Sequence, residues 1–216
     1  MRWLRAATTG LAGLAAICGA GPTWMLADEP AATRPRAAAM LEGGSRQPPP
    51  PRDLVVARRT LRQRFGETLF RADSHAGARQ AADRLFEAAV TETDRPLKWL
   101  LLDEARRLGM QAGDAATIDE AVTLAAASYD FDAIELEIES LARVPLRALD
   151  RSRAGELAEV AERLATRAEA DGRLGLAVDA QMLAVRGWQR AGNREATRRA
   201  AIRHDQLDHA RVTASR

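Results

Sequence analysis

Residues 157–193, LAEVAERLATRAEADGRLGLAVDAQMLAVRGWQRAGN, decide the fold class. Leu157, Val160, Ala161, Leu164, Ala165 and Ala168 recur three and four apart, a spacing that gathers them on one face of a helix and leaves the charged side chains opposite. After Asp171-Gly172 a second stripe runs through Leu176, Ala177, Ala180, Leu183, Ala184 and Trp188. Val178, Met182 and Val185 widen it, so this segment is expected to be covered on two sides, as an inner helix of a stack. Turns as short as AGD at 112–114, ADG at 170–172 and AGN at 191–193 fold consecutive helices back antiparallel.

The same periodicity extends to Ala78, Ala81, Ala82, Leu85, Phe86, Ala89 and Val90. Helix-start chemistry marks the breaks: Asp53, Ser74, Asp94 followed by Pro96, Asp114, Asp150 and Asn193 can each accept a bond from the free amides of a new first turn. About eight helices are predicted, over 53–65, 74–92, 95–112, 114–128, 131–143, 151–170, 173–191 and 193–212. One segment is ambiguous, because IELEIE at 134–139 alternates as a half-buried strand would. Phe131, Ile134, Ile138, Leu141 and Ala142 also form a helical stripe, and helix is the expectation there.

Composition agrees with a helical class. Hydrophobic residues make up 46% and charged ones 29%, which fits a globular protein and excludes a disordered chain. Aromatics are only 4%, so the core must be built from Ala, Leu and Val, small enough to let helices approach closely.

Ahead of the helices, MRWLRAATTGLAGLAAICGAGPTWMLADEP has two arginines, an uncharged run from Ala6 to Ala27 and then acid, the layout of a secretory signal peptide. Its glycines, threonines and Pro22 make it a weak membrane span. Cleavage is expected after Ala27 or Ala20. Lipidation of Cys18 is second choice, since Ile17 stands where a small residue is wanted. Cleavage beyond Cys18 removes the only cysteine, and with it any disulfide, thiol nucleophile or cysteine metal site. Residues 28–52 end in four prolines and read as a disordered linker. The expected organisation is therefore signal peptide 1–27, linker 28–52, helical domain 53–212 and tail 213–216.

The net charge of +2 conceals an uneven distribution. Residues 103–140 hold ten acidic side chains against Arg106 and Arg107, and residues 186–216 hold eight arginines against Glu195, Asp205 and Asp208. Such asymmetry can bias partner choice or describe solvated helix faces.

Two resemblances follow from these residues. Leu164, Ala165, Ala168, Ala177 and Ala184 lie at the spacing of packing positions in tetratricopeptide repeats, although Gly113, Gly172 and Gly192 do not recur at that repeat's period. Further, RFGETLFRA, TETDRPLKWLLLDEARRLGMQAGD and AVTLAAASYDFDAIELEIESL resemble the helical region of many exported planctomycetal proteins of unknown function. In that family the region often precedes another module and carries no assigned catalytic residues. The sequence ends at Arg216 without such a module, so the helical region is expected to act alone.

Reactive chemistry is not marked. His75, His204 and His209 include two that could pair with acids four residues away, His204 with Asp208 and His209 with Asp205, but His204 and His209 are five apart and point in different directions. The acid pairs Asp103–Glu104 and Glu135–Glu139 are expected to face solvent, and no nucleophile elbow, phosphate loop or zinc-protease helix is present. Arg186, Arg190, Arg194 and Arg198 recur every four residues and could line a polyanion. The sequence thus predicts an all-α, tetratricopeptide-like, degenerate α-solenoid of stacked antiparallel hairpins, exported and non-catalytic, binding another exported or envelope protein. A groove would be lined by 95–112, 131–143 and 173–191. No catalytic, cofactor, metal or binding residue is assigned. Membrane contact is expected only through an uncleaved leader, and the alternatives are polyanion or nucleic-acid binding by the arginines and an unrecognised enzyme.

Overall fold

The computed structural model describes residues 46–215, so the leader, Cys18 and the linker up to residue 45 lie outside the described residues. Eight α-helices are present among them: α1 Leu54–Phe70, α2 His75–Thr91, α3 Arg95–Ala112, α4 Ala115–Ser128, α5 Ala133–Ala142, α6 Arg151–Ala170, α7 Leu174–Ala191 and α8 Arg194–Ala214. A 3-10 turn at Leu146–Ala148 leads into α6, and the described residues include no strand. IELEIE is helical: Ile134, Glu137, Ile138 and Leu141 are buried while Glu135 and Glu139 are exposed, the three-and-four spacing of a helix.

Helix ends follow local chemistry. Ser74, Asp114, Asp150 and Asn193 accept the amides of Gly77, Thr117, Arg153 and Ala196 at 2.9–3.1 Å. Asp132 caps α5 in the same way. Two expected caps do not form. Asp53 is already in helical geometry and is approached through a turn closed by its own amide on Pro50 O. At Asp94, Pro96 removes one of the amides a cap would bind, and Glu92 instead accepts the amides of Thr93 and Asp94. α1 also runs on through Gly66 to Phe70 rather than stopping at 65, and α8 reaches Ala214, so the first two residues of the expected tail belong to the helix. The expected linker likewise ends early, because Asp130 N–H donates to Arg46 O at 2.7 Å and ties residue 46 to the α4–α5 connection.

Antiparallel neighbours pack as hairpins, most extensively α6 on α7, α2 on α3 and α7 on α8. Odd-numbered helices also touch in the order α1, α3, α5, α7, and even-numbered ones in the order α2, α4, α6, which makes two layers. The three segments expected to line a groove, α3, α5 and α7, therefore share a layer. Two buried clusters fill the space between the layers. One is built from α1 to α4 around Leu85, Leu101, Leu102 and Tyr129, the other from α4 to α8 around Ile118, Leu141, Leu157 and Leu207. α4 belongs to both, with Ile118 and Val122 in one and Ala121 and Ala125 in the other.

Small residues set the helix spacing. An added Cβ at Gly187 of α7 would lie 2.8 Å from Ala158 Cβ and 2.9 Å from Ala154 O of α6, so backbones approach there as only glycine allows. Gly113, at φ +66°, ends α3 in the left-handed region and lies under Leu149, where a Cβ would stand 2.2 Å from Leu149 Cδ2.

Candidate functional site

α4, α5 and α6 enclose a cleft of about 230 Å³ lined by Asp119, Glu137, Val160, Arg163, Leu164 and Arg167. Glu137 is its unusual member, 1% exposed with both carboxyl oxygens shut off from solvent and accepting no hydrogen bond. Burial is the chief cause that raises its pKa to about 7, and the facing Asp119 carboxylate adds to it. Arg167 and Arg163 pull the other way but do not compensate. Chemically this is a sealed acid that can keep its proton near neutral pH and offer it to Asp119, whose own charge is held by Arg163 at 3.0 Å. The sequence reading missed Glu137. The signal was present, since once 134–139 is taken as helix, Glu137 falls three residues after Ile134 and inside the buried stripe.

The acidic run at 103–140 does not form a single-sign face, because other helices supply its counter-charges. Asp114 meets Arg79 of α2 at 3.1 Å, Asp119 meets Arg163 of α6, and Asp132 holds Arg173, at the start of α7, with both carboxylate oxygens. That Arg173 contact is the main reason the Asp132 carboxyl is lowered to about 2. The expected pairs separate as well. Asp103 binds Arg106 at 2.5 Å, Glu104 binds Arg107 at 3.1 Å and Glu139 binds Arg143 at 3.4 Å. Arg106 goes on to donate to Ser140 Oγ at 2.8 Å, joining α3 to α5.

The arginine stripe at 186–198 is broken by the turn at Gly192, which puts Arg186 and Arg190 on α7 and Arg194 and Arg198 on α8. Arg190 is occupied by backbone, donating to Leu149 O at 2.6 and 2.9 Å and to Arg147 O at 3.2 Å. His75 opens α2 and is exposed, His204 lies 3.3 Å from Asp205, and Asp208 pairs with Arg211. Among the described residues no three His, Cys, Asp or Glu come together as a metal site would require.

A different surface feature comes from α1. Its inner face buries Leu54, Ala57 and Leu61, as an amphipathic helix should. Its outer face is not simply polar: Val55, Val56 and Phe70 are 61%, 72% and 86% exposed, and Arg58, Arg59, Arg62 and Gln63 stand among them. Arg64, turned toward α2, is paired with Glu92 at 2.7 Å, whereas Arg58, Arg59 and Arg62 make no ion pair with any described residue.

The chain matches no family model, no curated protein and no solved structure.

Proposed function

We propose that the protein is a non-catalytic, exported binding module that uses its helical stack to hold an interaction face toward another protein or the cell envelope. The outer face of α1 carries this reading. Single exposed aliphatic residues are ordinary on protein surfaces, but here three large apolar side chains share one helix face with three arginines that have no counter-charges among the described residues. The leader layout and the resemblance to exported planctomycetal helical regions support export. The sealed position of Glu137 argues against an acid–base role, since a catalytic carboxyl must reach the proton it moves.

The test places a photo-crosslinking amino acid at Gln63 on the α1 face or at Gln206 on α8, both exposed, and adds the purified protein to envelope extract. Adducts from position 63 that are absent from position 206 are expected. Equal yields from both positions, or none from either, would refute the assignment. A second reading has its own observation: Arg186, Arg194 and Arg198 are exposed and lack ion-pair partners among the described residues. Polyanion binding there predicts affinity that falls steeply with added salt and survives changes on α1.

A further inference from the structure

The chemistry of the α1 face narrows the kind of surface it fits. At 100° per residue, Arg58, Arg62, Val55, Arg59, Phe70, Gln63 and Val56 fall in that order within a single arc of about 160°, which otherwise holds only Leu69 and Gly66. Aliphatic side chains are therefore flanked by guanidinium groups rather than separated from them. A phosphate polymer would engage the arginines and gain nothing from two valines, and the arc has no aromatic ladder on which bases could stack. An anionic lipid surface uses both. Its headgroups and negative potential attract the arginines, and the valines enter the boundary between headgroups and acyl chains.

We infer that α1 docks the protein flat on an anionic lipid bilayer. The inference rests on the envelope-binding reading above and names its partner. No described helix is long and apolar enough to cross a membrane, so contact through this domain would be peripheral. Charge separates the competing occupants. The leader carries only Arg2 and Arg5 and would repel the three arginines, while an acidic protein surface remains an outcome of the test.

The experiment measures co-sedimentation of the full chain with vesicles of phosphatidylcholine containing phosphatidylglycerol, and with phosphatidylcholine alone. It compares the native protein with R58Q/R59Q/R62Q and with V55S/V56S, all exposed positions whose folding is checked by circular dichroism. Because every variant retains the leader, differences report α1. Native protein should bind the anionic vesicles and be released by salt. The triple change should weaken partition on the order of a hundredfold, and the serine pair about tenfold. Equal binding by all three proteins, or equal binding to both vesicle types, overturns the inference. Absence of vesicle binding together with crosslinks from position 63 to a protein overturns the lipid assignment and leaves the binding module standing; absence of both removes the two together.

Discussion

Glu137 allows a sharp test, because the fold raises its pKa and leaves it no hydrogen-bond donor. Its carboxyl has an ordinary value of 4.5 and is raised to about 7 in the folded protein, chiefly by burial. Between those values the folded chain keeps a proton that the unfolded chain has released. Stability from this group is thus fully present below about pH 4.5, falls as pH rises through the window, and is gone above about pH 7. At 1.36 kcal/mol per pKa unit the change is about 3 kcal/mol. Glu137→Gln keeps the shape, presents an amide to Asp119 and cannot titrate. The variant should match the native protein near pH 4 and exceed its stability by about 3 kcal/mol near pH 8. Urea unfolding of both proteins at several pH values across that range reads the difference directly. Asp132 does not obscure it: its lowered pKa supplies stability present above the ordinary carboxylate value of 3.8 and lost as pH falls toward about 2, below the Glu137 window. A native-minus-variant difference that stays flat from about pH 4 to 8 would refute the assignment of Glu137 as a buried proton-holding acid.

Three further outcomes are expected. Gly187→Ala forces a methyl into the α6–α7 contact and, after the gain in helix propensity, should cost about 1–2 kcal/mol and lower Tm by roughly 3–6 °C; an unchanged or raised Tm would mean the helices can move apart freely. Tyr129→Phe removes the hydroxyl that donates to Arg95 O at 2.6 Å while keeping the edge contact of the ring with Trp99, and should cost about 1 kcal/mol by chemical denaturation. Asp132→Ala loses both the α5 cap and the tie to Arg173, whereas Arg173→Ala loses only the half-exposed ion pair, so the first should cost about 1–2 kcal/mol and the second clearly less. Equal losses measured by urea titration would show that the cap contributes nothing.

These positions also show which parts of the molecule can be read from sequence. The ends of α3, α6 and α7 were legible because their signals are local: Gly113, Gly172 and Gly192 adopt φ of 66°, 72° and 77°, and Asp114 and Asn193 cap the helices that follow α3 and α7. α1 misled at Gly66, because glycine lowers helix propensity by about 1 kcal/mol and packing of Leu61, Phe65 and Leu69 outweighs that. The pairing of Asp114, Asp119 and Asp132 with arginines of α2, α6 and the start of α7 was not legible, since the chain separations are settled only when the layers assemble. The division of the four arginines at 186–198 is local by contrast: the turn expected at 191–193 forms, and it places two of them on α7 and two on α8. The outer face of α1 was hidden differently. Periodicity finds the side of a helix that is buried, and it says little about valines placed on the side that is not.

The position of α4 between the two buried clusters governs how the molecule comes apart. Ile118 and Val122 serve one cluster, Ala121 and Ala125 the other, and Phe131 just beyond the helix packs against both. Neither half can lose its order without stripping one side of this helix. Amide hydrogen exchange should therefore report a single slow cooperative unit centred on α4, with protection declining outward toward α1 and α8, instead of two halves that open independently.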